Sequence, residues 1–123
     1  MNKKPQSYRD LVVWQKGIQT AKLIYKLTRS FPGEEKFGIT SQMRRAAISI
    51  PSNIAEGQAR HTTKEFIQFI SHAEGSAAEL ETQLILSIEL TFANSAETRE
   101  IFALLDEVRR MMNGLRRKLA GLK

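Results

Sequence analysis

Two segments in the second half of the chain repeat their apolar residues at alternating spacings of four and three, and this pattern constrains the fold most. The first series is Phe66, Ile70, Ala73, Ala77, Leu80 and Leu84. The second series is Ile101, Leu105, Val108, Met112, Leu115, Leu119 and Leu122. Such heptad spacing lines one face of an α-helix with apolar side chains, and a β-strand has a different period. We therefore predict helices over residues 63–90 and 96–119.

Polar residues mark where these two helices begin. Thr62 stands before the first series and Glu65 follows three residues later, which is the pattern of a capping box. Ser95 stands before the second series, so we expect it to be the N-cap of the fourth helix.

The first helix is predicted over residues 11–30 and carries two apolar stripes. One stripe is Val13, Gly17, Thr20, Ile24 and Leu27, and the other is Trp14, Ile18, Ala21 and Tyr25. Together they make a face wider than a single bundle core needs. We expect Trp14, Ile18 and Tyr25 to be partly exposed on an isolated subunit and to form an oligomer interface, in preference to stacking on nucleobases.

The second helix passes through "AAISIPSNIAEG", residues 46–57, and contains a proline. A proline inside a helix removes one backbone hydrogen bond and kinks or breaks the helix. Two interpretations fit: the helix stops at Ser49 and restarts after Pro51, or one helix continues with a bend. The apolar series keeps its phase from Ile50 to Ile54 and Gly57, which favours a continuous, bent helix over about 38–57.

Four helices of this length with short connectors pack most simply as an all-α, antiparallel up-down-up-down four-helix bundle. We predict a single domain over residues 1–123, with residues 1–10 as a flexible N-terminal segment. The basic N-terminus lacks the apolar run of a signal peptide, and no apolar run approaches 18 residues. A cytoplasmic protein without a membrane partner is expected.

The net charge of +6 is distributed unevenly along the chain. Residues 1–60 hold 11 Lys and Arg against 4 Asp and Glu, residues 61–107 hold 2 against 9, and residues 108–123 hold 6 against none. One interpretation is charge matching between helices or between subunits. The other is a basic face that binds a polyanion.

Residue patterns for catalysis and metal binding are absent from the sequence. A di-iron bundle would need Glu-x-x-His pairs, but Gln58 precedes His61 and Phe69 precedes His72 at that spacing. His72 and Ser76 are four residues apart on one predicted helix, but a histidine and a serine often have this spacing by chance, so it does not indicate a catalytic pair. No phosphate-binding glycine motif occurs. We therefore predict no enzyme activity, no catalytic residue, no metal site and no cofactor.

Three stretches carry a resemblance to a known family. They are "YRDLVVWQKG", "YKLTRSFPGEEKFGITSQMRRAAISIPSNIAEG" and "EFIQFISHAEGSAAELETQL". Over about residues 8–90 they resemble the bacterial four helix bundle proteins, also called 23S rRNA intervening-sequence or S23-type proteins. The resemblance implies a four-helix bundle that often assembles as a ring-like homopentamer, and it implies no settled activity and no catalytic residues. The fold is also similar to the accessory protein of diversity-generating retroelements, a basic pentamer that engages nucleic acid.

These observations lead to two functional hypotheses. The first is a non-enzymatic, oligomeric protein that contacts RNA or DNA phosphates with little base specificity. Its candidate contacts are Arg44, Arg45, Arg60, Arg109, Arg110, Arg116, Arg117 and Lys118. The alternative is a scaffolding subunit with a protein partner, in which the basic and acidic faces pair between subunits.

Overall fold

The computed structural model describes residues 7–122, which form four long helices joined by short connectors. The helices are α1 (Val12–Thr28), α2 (Ile39–Gln58), α3 (Thr63–Glu89) and α4 (Ser95–Leu119), with short 3-10 helices at Tyr8–Asp10 and Gly33–Glu35. No β-strand occurs within residues 7–122, and the prediction of an all-α four-helix bundle is confirmed. Most of the segment predicted to be flexible, residues 1–6, lies outside the described residues.

The helices form a square in which each one packs against two neighbours. Contacts join α1 to α2, α2 to α3 and α3 to α4, and α4 closes the square against α1. Within the described residues no Cα atoms of the diagonal pairs come within 8 Å of each other. The outer face formed by α1 and α2 therefore lies opposite the outer face formed by α3 and α4.

The predicted apolar series form most of the core, except for Phe66, which is half-buried, and the end of α4. Fully or almost fully buried residues of the two long series are Ile70, Ala73, Ala77, Leu80, Leu84, Ile101, Leu105, Val108 and Met112. Beyond Met112 the series leaves the core, and Leu122 is 54% exposed. The reason is the length of α1: Lys16 pairs with Glu107, so the start of this antiparallel helix at Val12 lies close to Met112. The rest of α4 therefore lacks α1 as a neighbour.

Glycine allows α2 to approach α3 closely. A Cβ atom built on Gly57 would lie 2.7 Å from the Cβ of Phe69 and 2.9 Å from Cδ1 of Phe66. Real Cβ atoms do not approach each other so closely, because two carbon atoms repel each other well below their optimal separation of about 3.5–4.0 Å. Any larger residue at this position must push the two helices apart.

The proline lies inside one continuous helix, as predicted. Pro51 is buried within α2, and its ring lies against Gly17 of α1, where a built Cβ would be 3.4 Å from the proline Cβ. Two residues further on, the Asn53 side chain donates to the carbonyl oxygen of Ser49 at 2.8 Å. The alternative of a helix that stops at Ser49 is therefore wrong.

The two predicted N-caps have different outcomes. Thr62 caps α3 as expected, because its Oγ1 accepts from the backbone N–H of Glu65 at 3.1 Å. The prediction of Ser95 for α4 is wrong by one residue: the cap is Asn94. Its Oδ1 accepts from the N–H of Glu97 at 2.9 Å, and the Glu97 carboxylate accepts from the Asn94 N–H at 3.0 Å. Asn94 is the N-cap because Glu97 lies three residues after it, which completes a capping box.

Replacing Gly57 with alanine is expected to destabilise the bundle by about 1–3 kcal/mol, which is typical of overpacking in a core. The matched control is Gly75→Ala in the middle of α3, where a built Cβ meets nothing within 4 Å. That control should be more stable than wild type by about 0.5–1 kcal/mol, because alanine favours the helix. Urea unfolding followed by circular dichroism measures both. A Gly57→Ala protein as stable as wild type would contradict the close approach.

Asn94→Ala is expected to lower the free energy of unfolding by about 1 kcal/mol, because the backbone N–H of Glu97 loses its acceptor, the Asn94 side-chain oxygen. Ser95→Ala should change it by a few tenths at most, since alanine is a good first-turn residue. The same unfolding experiment distinguishes them. Equal losses from both substitutions would count against Asn94 as the cap.

Candidate nucleic-acid interface

Three of the arginines predicted to bind phosphates pair with carboxylates of the same chain. Arg109 Nη1 lies 2.8 Å from Glu81 Oε1, and Arg116 Nε lies 2.8 Å from Glu74 Oε1. These two pairs join α4 to α3. The third candidate, Arg110, pairs with Asp106 at 2.7 Å within α4.

The antiparallel packing of α3 and α4 explains the first two pairs. Glu74 and Glu81 are seven residues apart on one face of α3, and Arg109 and Arg116 are seven apart on α4, so each carboxylate meets one guanidinium. The acidic and basic segments of the sequence are therefore matched between helices of one chain. These pairs are partly exposed, so each adds only about 0–1 kcal/mol of stability. A phosphate would have to compete with the carboxylate for each arginine.

The other candidate residues outside the first two helices, Arg60, Arg117 and Lys118, are exposed. Arg60 follows the end of α2, and its guanidinium lies over the Phe69 ring at 4.7 Å from the centroid. Arg117 and Lys118 lie in the last turn of α4, where positive charge suits the helix dipole. The structure therefore brings neither Arg117 nor Lys118 next to the remaining candidates, Arg44 and Arg45.

Arg44 is held between α1 and α2. Its Nε donates to Thr28 Oγ1 at 2.9 Å, and its guanidinium lies over the Tyr25 ring at 4.6 Å from the centroid. The hydrogen bond from Nε and the stacking on the tyrosine ring therefore orient the guanidinium. Arg45, the next residue, is exposed on the same side of α2.

Further cations line two adjoining clefts, one on either side of Tyr25. The two clefts together are called the Tyr25 groove. One cleft lies between α1, α2 and the connector that joins them, and the other runs along α1. The cations that line them are Lys22, Lys26, Arg29, Lys36, Arg44 and Arg45. No Asp or Glu lines either cleft. By contrast, the two clefts between α1 and α4 are lined by Glu97, Glu100 and Glu107 together with Arg110 and Lys26, so Lys26 lies between the groove and an acidic cleft.

Sequence reasoning missed four of these six cations. Lys22, Lys26 and Arg29 are spaced four and three residues apart, so helical geometry alone places them on one side of α1. That signal was available in the sequence. Lys36 lies in the connector, and only the folded chain brings it beside Arg44.

The residues predicted as an oligomer interface differ in exposure. Ile18 and Tyr25 are each 36% exposed, whereas Trp14 is half-buried and packs edge-on against Tyr8 with ring centroids 5.2 Å apart. A second apolar patch, which the sequence patterns did not single out, lies near the end of α3. It consists of Ile85, Leu86 and Leu90, exposed by 51%, 46% and 46%.

Within residues 7–122, no three His, Asp or Glu side chains lie close enough together to hold a metal ion. His72 packs edge-on against Phe69 on α3, with ring centroids 6.0 Å apart. No described helix combines the length and apolar character needed to cross a bilayer.

The fold and the groove define a four-helix bundle with one strongly basic outer face. The model of the 23S rRNA-intervening sequence protein family matches residues 9–114, and the chain belongs to this family. No curated protein matches the chain in sequence.

Proposed function

We propose that this chain is a non-enzymatic protein that binds RNA or DNA phosphates through the Tyr25 groove, as a subunit of a cyclic homo-oligomer. The observation that carries the proposal is the set of six cations lining two adjoining clefts to which no carboxylate contributes. A cleft lined by cations and by no carboxylate attracts the phosphate backbone, which releases its counterions on binding. Glu34 and Glu35 are in the neighbouring connector but line neither cleft.

The family name supports RNA as the first polyanion to test, because it refers to a sequence within 23S ribosomal RNA. Contacts made through phosphates carry little base specificity. Several copies of the groove in one oligomer would add many weak contacts and raise the overall affinity.

The alternative of a scaffolding subunit relies on charge pairing between subunits. Arg109 and Arg116 already have carboxylate partners within the chain, so such pairing would use other cations, among them those of the Tyr25 groove. Arg45 and Lys36, which have no ion pair among the described residues, are the groove cations that a neighbouring subunit's acidic side chains would meet.

Binding of unrelated RNA and DNA sequences should be similar and should weaken steeply as salt increases. The double substitution Lys36→Gln with Arg45→Gln should lower affinity roughly tenfold and reduce the slope of log K against log salt by about 1–2, because two phosphate contacts are lost. Fluorescence anisotropy at several salt concentrations measures both quantities.

The matched control is Arg109→Gln with Arg116→Gln, which removes the same charge from arginines paired with Glu81 and Glu74. It should leave the salt slope nearly unchanged. Equal losses from the two double variants would mean that net charge, and not the groove, governs binding. No binding by wild type at about 50 mM salt, where nonspecific contacts are strong, would replace this proposal with the scaffolding one.

Self-association is expected at tens of micromolar, a concentration typical of weak specific interfaces. Leu86→Gln should reduce the mass seen by sedimentation more than Ile18→Gln, because the patch on α3 exposes more apolar surface than α1 does. A larger effect of Ile18→Gln would instead support the α1 interface with Trp14 and Tyr25. A monomeric wild type would rule out the oligomer.

A further inference from the structure

Phe37 is the most exposed large apolar residue within residues 7–122, at 90% of its surface. It lies in the connector just before α2, and Lys36 Nζ is 5.7 Å from the centroid of its ring. Single apolar residues on a surface are common, but this ring also lines a cleft whose charged lining residues are all cations. The cation beside it favours a partner that carries negative charge.

The cleft next to Phe37 has a size and chemistry suited to a nucleotide. Its volume is about 580 Å³, within the usual range for small-molecule sites. Phe37 and Tyr25 supply aromatic surface, and Ser41 and Ser49 supply hydroxyl groups. The charged groups of its lining are all cations.

Arg44 is oriented before any ligand arrives. Its bond to Thr28 and its stacking on Tyr25 fix the guanidinium at the cleft. A side chain that is already ordered loses less entropy when it binds, and arginine suits the geometry of phosphate. Arg44 and Arg45 are therefore the groups that would hold a phosphate of the bound strand.

We propose that the cleft between Phe37 and Arg44 binds unpaired nucleotides, with a base stacked on Phe37 and a phosphate at Arg44 and Arg45. This inference rests on the proposed function and adds the class of nucleic acid. In a duplex the base faces are covered by neighbouring base pairs, so only a single strand can use an exposed ring. Stacking on an aromatic side chain is tolerant of base identity, which agrees with weak sequence specificity.

The test compares a fluorescein-labelled 12-nucleotide RNA alone with the same RNA annealed to its complement, both by anisotropy at one low salt concentration. Wild type should bind the single strand several-fold more tightly than the duplex. Phe37→Ala should lower single-strand affinity about tenfold, within the range seen for stacked bases, and change duplex affinity by less than about twofold. The salt slope should stay the same, because no charge is removed.

Two further variants complete the test. Phe37→Trp keeps an aromatic surface, so it should retain single-strand binding, and single-stranded RNA should quench its fluorescence more than that of wild type, whose sole tryptophan is Trp14. Val12→Ala removes another exposed apolar side chain, 50% exposed at the start of α1, and should not affect binding. Unfolding curves check that each variant is folded, which is expected for an exposed ring.

The outcomes separate this inference from the proposed function. Equal affinity for the two RNAs, with no effect of Phe37→Ala, overturns the stacking site and leaves phosphate binding in place. Absence of binding to either RNA overturns both. If Phe37→Ala lowers the sedimenting mass and leaves RNA binding unchanged, the ring belongs to a contact between copies of the chain and the inference is wrong.

Discussion

The close packing of α2 against both of its neighbours is the constraint on which the rest of the structure depends. On one side Gly57 lets the backbone of α2 approach Phe66 and Phe69 of α3, and on the other the ring of Pro51 fills the space above Gly17 of α1. Small residues at such contacts permit a short distance between helices, and dense packing makes that distance costly to change. The relative positions of three helices are thereby fixed along the second half of α2.

The positions of the helices in turn determine which charged side chains lie close enough to pair. The same packing brings Arg44 of α2 within hydrogen-bond distance of Thr28 on α1, and it places both beside the connector that carries Lys36. On the opposite face, α3 and α4 bring Glu81 to Arg109 and Glu74 to Arg116. The ion pairs add little stability because they are partly exposed. Their larger effect is to neutralise one face and leave the α1–α2 face basic.

The arginines of the two faces therefore differ in how available they are to a ligand. A guanidinium that already binds a carboxylate offers less to a phosphate than one that faces only cations and hydroxyls. Counting basic residues along the chain ranks the end of α4 highest, with six Lys and Arg in residues 108–123. Six cations also line the Tyr25 groove, whereas Arg109, Arg110 and Arg116 of α4 already pair with carboxylates. Position in space is the relevant quantity, because electrostatic attraction acts across distance and not along sequence.

The sequence by itself determined the fold class, the four helices and most of the core. Heptad spacing specifies which face of a helix is apolar, and short connectors force antiparallel neighbours, so the burial of Leu80 and Leu105 followed without a structure. Local capping chemistry specified the start of α3 at Thr62, and the same rule, applied to Asn94 and Glu97, would have placed α4 correctly.

Only the tertiary structure decided where the basic surface lies. Whether Arg109 is neutralised depends on Glu81, which is 28 residues away in the chain, and no local pattern reports that pairing. The exposure of Phe37 and the position of Lys36 depend likewise on how the connector leaves α1 and enters α2. Helix periodicity is a local property that a sequence carries directly, whereas the pairing of charges depends on distances that exist only after the helices have packed.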